Sequence, residues 1–104
     1  ALTDASTVAV NAALGNDFRL TFTSGVGSSR TIGAPSNPAD GQDITFLLTQ
    51  DGTGSRTVTW NAVYDFGTAG APTLTTTASD SDLVAFKYVA AKTKWVCMGS
   101  ALGF

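Results

Sequence analysis

The chain has 104 residues, of which 43% are apolar and only 13% charged, with a net charge of −2. That length suits one domain spanning 1–104 with a modest core, while the charge content is about half the roughly 25% usual for soluble domains. Scattered basic residues leave no footprint for nucleic acid, and there is neither an apolar run of membrane-spanning length nor a signal-peptide pattern, so nucleic acid and membrane are excluded as partners.

The first residues, Ala1 to Ser6, are expected to form a flexible arm, since termini are ordered only when something ties them down. The small Ala1 is read as what initiator-methionine removal leaves, and the chain as a complete product. Thr7 to Asn11 shows Val-x-Val alternation and is expected as a strand, in preference to a short helix over Asp4 to Leu14. In "DFRLTFT", Phe18, Leu20 and Phe22 share one face and Arg19, Thr21 and Thr23 the other. A short strand follows at Ser29 to Ile32. Next, "DITFLLT" sets Ile44, Phe46 and Leu48 against Thr45 and Thr49, and "RTVTW" sets Val58 and Trp60 against Thr57 and Thr59. Short strands are expected at 62–66 and 72–76. "LVAFKYV" places Val84, Phe86 and Tyr88 opposite Ala85 and Lys87, and "KWVCM" closes the set at 94–98.

Alternation of apolar with Thr marks strands with one buried face, and Thr suits the outer side because it is β-branched. All eight acidic residues are Asp, which favours turns over helix interiors. Glycine-, Pro- and Asp-rich turns separate the strands at short intervals, as in "LGND", "GAPSNPADG" and "GTAGAP". The fold expected is therefore all-β, an antiparallel β-sandwich or jelly-roll-like barrel, with no internal repeat. Few Lys, Arg or Pro residues guard its edges, which predicts association with copies of itself, as a homotrimer.

Chemistry finds few partners in this chain. Without His there is no Ser-His-Asp or Cys-His pair and no imidazole zinc site, and without Glu the calcium loop of an EF-hand lacks its bidentate ligand. Asp51-Gly52-Thr53-Gly54 resembles a phosphate loop only superficially, because no Lys follows the glycines and the next segment is a strand. It is expected to be a hairpin turn in which glycine supplies positive φ and Asp51 caps the turn. Asp80 and Asp82 are expected as turn residues in preference to a metal or catalytic pair. Cys97, alone in "WVCMG", allows no internal disulfide and is expected as a buried structural thiol. No enzyme activity, cofactor, metal or small-molecule substrate is expected. Candidate contact residues are Asp51 and Arg56 at the glycine turn, and Trp60, Tyr64 and Trp95 among the aromatics, which are expected in core or subunit-interface packing in preference to a sugar-binding platform.

The order of the motifs resembles a small β module of tailed-bacteriophage structural proteins, particularly from phages of actinobacterial hosts. The likeness rests on the "NPADGQ" turn at 37–42, "TQDGTGSRT" at 49–57, the strand entrance from Thr76 to Tyr88, and Lys94-Trp95. It covers essentially the whole chain. The resemblance implies a non-enzymatic virion component: a capsid decoration protein that sits as trimers on the outer surface of the head, binds the major capsid protein and stabilises the shell. In that role the arm at 1–6 would order onto the shell. The alternative is a tail-fibre or minor tail module for host attachment.

Overall fold

The computed structural model describes residues 1–104. Eight strands make up the body: β1 (Thr7–Val8), β2 (Asp17–Thr21), β3 (Ser29–Ile32), β4 (Asp43–Thr49), β5 (Thr57–Trp60), β6 (Tyr64–Asp65), β7 (Ser81–Val89) and β8 (Lys94–Ala101). Three single 3-10 turns interrupt them, at Ala12–Leu14, Gly67–Ala69 and Ala90–Lys92. Where the sequence alternates strongly, burial alternates with it. Phe18 and Leu20 in β2, Ile44, Phe46 and Leu48 in β4, and Val84 and Phe86 in β7 are all buried, while their neighbours face outward. The expected strand at 72–76 does not form a ladder; that segment is held by side chains instead.

The strands form two sheets, one of three strands in the order β1-β3-β5 and one of five in the order β2-β4-β7-β8-β6. Both sheets turn apolar residues into one core, Val8 and Ile32 from the first meeting Phe18, Leu20, Phe46, Val84, Phe86 and Trp95 from the second. The all-β expectation holds, but the antiparallel one holds only for β4-β7 and β7-β8. The three-stranded sheet is wholly parallel, as are β2-β4 and β6-β8. This departs from a jelly roll, whose strands run antiparallel. Alternation is usual in antiparallel sheets because one face stays in solvent, but the parallel strands here also bury only one face, so they alternate too and the pattern does not reveal their direction.

The parallel pairs amount to a short stack of rungs. Thr7 lies beside Thr31, and Thr31 beside Thr59; Val8, Ile32 and Trp60 line up behind them toward the core. In the other sheet Phe18 pairs with Phe46 and Leu20 with Leu48. In these three pairs the partners lie 24 to 28 residues apart in sequence. The stack ends where β7 returns antiparallel along β4, and a bulge at Ala85/Phe86 bends the β7-β8 pair.

The expected arm at 1–6 is tied to this body. The Leu2 N–H donates to the Arg19 carbonyl at 2.8 Å, and Leu2 packs against the core. Asp4 forms a two-point ion pair with Arg30, with Nη2 at 2.8 Å and Nε at 3.0 Å, and the two side chains are 2% and 0% exposed. Arg30 occupies the inward position of β3 beside Ile32, its guanidinium carbon 4.5 Å from the face of Phe22. Asp4 also accepts from the Thr23 N–H and hydroxyl, so it uses its oxygens fully, whereas Nη1 of Arg30 has no hydrogen-bond partner. A buried charge is tolerated only when paired in this way, which is why the first residues cannot swing free.

Candidate functional site

The segment from Thr49 to Thr57 joins β4 in one sheet to β5 in the other, so it is a corner between sheets and not a hairpin. Its geometry comes from two side chains. Asp51 accepts the Thr53 and Gly54 amides on one oxygen, at 3.1 and 2.9 Å, and the Arg56 guanidinium on the other, at 3.1 and 3.0 Å. Gln50 is buried; it accepts the Arg56 N–H and donates to the carbonyls of Arg56 and Thr75. The Arg56 side chain and the Gly54 amide both hold the Asp51 carboxyl below its ordinary range. This ion pair therefore persists above the ordinary carboxylate range and fails as pH falls through the lowered value.

Gly54 has φ +74°, and a Cβ there would sit 2.6 Å from the Thr76 carbonyl oxygen and 2.9 Å from the Ala78 nitrogen. The corner closes only because that Cβ is missing. Gly54→Ala is expected to destabilise by more than about 1 kcal/mol, from αL strain and backbone overlap together. Urea denaturation checks this, and a loss below about 0.4 kcal/mol would mean that the corner yields without cost.

Of the five candidate contact residues, Asp51 and Arg56 meet each other, and the aromatics turn inward. Tyr64 and Trp95 are buried core residues, paired side by side across β6 and β8. Tyr64 donates its hydroxyl to the Gly33 carbonyl at 2.8 Å, and burial pushes its ionisation above the ordinary tyrosine range, so the phenol keeps its proton. Trp60 is half-buried, its ring 5.1 Å from Tyr64, 5.3 Å from Phe86 and 5.7 Å from Phe46. These rings were expected in core or interface packing; here they form the packing that joins the two sheets, since large flat side chains bury the most area.

The paired carboxylates separate in the same way. Asp82 is buried and accepts the Thr75 amide at 2.6 Å and the Gly103 amide at 2.8 Å, so it clamps the 72–76 segment and the last residues onto β7. Asp80 uses its backbone, accepting from the Gln50 N–H and donating to the Thr77 carbonyl. Cys97 is half-buried, packed against the core edge. No group of three metal-ligating side chains comes together.

What faces solvent is apolar in a few places that alternation did not single out. Leu14 stands 79% exposed at the end of the first 3-10 turn, and Met98, Leu102 and Phe104 are exposed along the last run of the chain. Leu14 lines an open groove of about 410 Å³, together with Leu2, Val10, Asn11, Phe18 and Ser36. A second depression lies between the Phe66–Pro72 segment and residues 97–100 of β8. The signal for these positions was present in the sequence, as apolar residues in glycine-containing stretches outside any two-residue alternation.

Comparison with protein families gives a match over residues 3–89 to the model described as "Putative phage tail fibre C-terminal domain". Neither the curated proteins nor the solved structures include a match to the chain.

Proposed function

Because the chain belongs to the phage tail fibre C-terminal domain family, a group of virion structural modules, we propose that it is the host-facing end of a tail fibre and has no catalytic step. The family match across residues 3–89 carries this reading. Decoration of the head, the main expectation drawn from the resemblance, finds no support in that family and gives way to the tail. The major capsid protein drops out as partner with it. Self-association into a trimer stays part of the proposal, favoured by a surface poor in charge and by apolar side chains left exposed at Met98, Leu102 and Phe104.

The fold suits such a place. A domain at the end of a fibre must keep its shape while its outer surface meets other molecules. Here the corners are fixed by internal side chains such as Asp51, Gln50 and Asp82, leaving the outward positions of β2, β4 and β7 free to vary. Gold-labelled antibody against the chain is expected to mark the tail of purified particles, with few copies per particle. Label spread over the head, in hundreds of copies, would restore the decoration reading. Purified chain is also expected to compete with phage for adsorption to host cells.

A further inference from the structure

The first rung of the stack is only half covered. Along β2, residues 2–4 supply an outer neighbour: the Leu2 N–H donates to the Arg19 carbonyl at 2.8 Å, and the Thr23 N–H donates to the Asp4 carboxylate at 2.8 Å. Residue numbers rise together across these contacts, so the segment runs parallel to β2 just as β2 runs parallel to β4. β1 has no such neighbour. Its inner edge bonds β3, through Thr31 N–H to the Ser6 carbonyl and Gly33 N–H to the Val8 carbonyl, both at 2.9 Å. The parallel register turns the amide and carbonyl of Thr7 to the opposite side, and Ala9, exposed, makes no backbone hydrogen bond. The groove containing the exposed Leu14 begins at the Ala9 end of this edge and is lined on its other side by residues 1–3.

We propose that the Thr7–Ala9 edge takes an extended strand of fibre polypeptide, which completes the half-rung begun by residues 2–4. The proposal rests on the reading of the chain as a fibre module. The strand it fits is uncharged, with Thr or Ser outward and a β-branched residue inward, because that is how Thr7-Val8 sits on Thr31-Ile32. The interface is thus a continuation of one the fold already uses twice, β1 on β3 and β3 on β5. Main-chain bonds to Thr7 and Ala9 supply the pairing, and the apolar walls at Leu2, Val10, Leu14 and Phe18 receive the inward side chain. In the larger sheet the parallel run is closed at its other end by antiparallel β7, so β2 is its free end, and β1 is the edge of the smaller sheet that precedes it in the chain, β5 being the opposite edge.

The test uses the isotopically labelled 104-residue chain and a blocked synthetic peptide, ASTVAVNA, copied from residues 5–12. Saturable changes are expected in the amide signals of Thr7, Ala9 and Leu14, with slower hydrogen exchange at Thr7 and Ala9. Ala9→Pro removes an outward N–H that no group of the fold accepts, a change an edge strand tolerates. It is expected to weaken peptide binding about tenfold while the remaining signals stay in place. No change at millimolar peptide, or changes centred on other residues, would overturn the proposal. So would concentration-dependent changes at the same amides without peptide, which would assign the edge to a second copy of the chain. None of this needs the virion: failure here with antibody on the tail sinks only the strand docking, while peptide binding with antibody on the head removes the fibre as the source of the strand.

Discussion

Asp4→Ala is expected to cost about 3–5 kcal/mol of stability, because it leaves the Arg30 guanidinium charged, buried and without its counter-ion. Both side chains are almost wholly removed from water, so solvent offers little relief. The same substitution frees the Thr23 amide and hydroxyl and releases the N-terminal segment from β2. Urea denaturation measures the loss; a cost below about 1 kcal/mol would mean that water reaches the pair. Replacing both partners together, Asp4→Leu with Arg30→Met, is expected to recover most of the stability, since two apolar side chains need no pairing. The pair also sets an acid limit. Burial alone would raise the Asp4 carboxyl, but hydrogen bonds from Arg30 and the Thr23 amide, together with the Arg30 charge, outweigh it and hold the carboxyl below its ordinary 3.8. A depressed carboxylate contributes its full stability above the unfolded value and loses it as pH falls through the folded one. Acid unfolding is therefore expected below about pH 4, with that pH dependence reduced in the double replacement.

Phe46→Ala is expected to be as damaging, by about 3–5 kcal/mol, through loss of buried area and the cavity left behind. Phe46 is wholly buried and is the ring on which the two sheets converge, with Phe18, Tyr64 and Phe86 each at 5.9 Å and Trp60 at 5.7 Å. A melting temperature lower by upwards of roughly 12 °C follows for a domain of this size. The near-ultraviolet circular dichroism of Trp60 and Tyr64 should collapse with it. Leu47→Ala, one position along, removes an equally apolar side chain from the outward face and is expected to cost at most about 1 kcal/mol. If the two substitutions cost the same, the register of β4 is wrong.

How much of this could be read in the sequence depends on what each residue reports. Phe18, Leu20, Ile44, Phe46, Leu48, Val84 and Phe86 announced their buried face through spacing alone. Direction was silent, since a strand shows the same alternation whether its neighbour runs with it or against it. Arg30 was hidden by its type. It stands in the inward position of "SRTI", but a charged residue reads as outward until its partner is known, and Asp4 lies 26 residues away. Tyr64 and Trp95 were placed on strands correctly, but core and interface stayed open for them, because an aromatic side chain satisfies both by the same chemistry. The glycine corner was legible in its turn chemistry, with Asp51 capping as expected, and illegible in its topology. A tight turn can reverse a strand within one sheet or carry it to another, and only distant pairings decide between them.

The two pairings of β7 bear on the order in which the chain acquires its structure during synthesis. β7 and β8 are joined by four residues, the 3-10 turn Ala90–Lys92 and Thr93, so their contacts are local and cheap to form. Every parallel pairing instead closes a loop of more than twenty residues before any ladder bond rewards it. β7 and β8 are thus the strands best able to nucleate, and the 80 residues before them must wait as an open chain with its apolar faces uncovered. Substitutions in the β7-β8 hairpin should slow refolding, whereas those in β1 should chiefly speed unfolding. The reverse pattern would place the nucleus among the rungs. A nascent chain of this topology is most exposed to aggregation before β8 has left the ribosome, the interval in which a chaperone would find it most useful to bind.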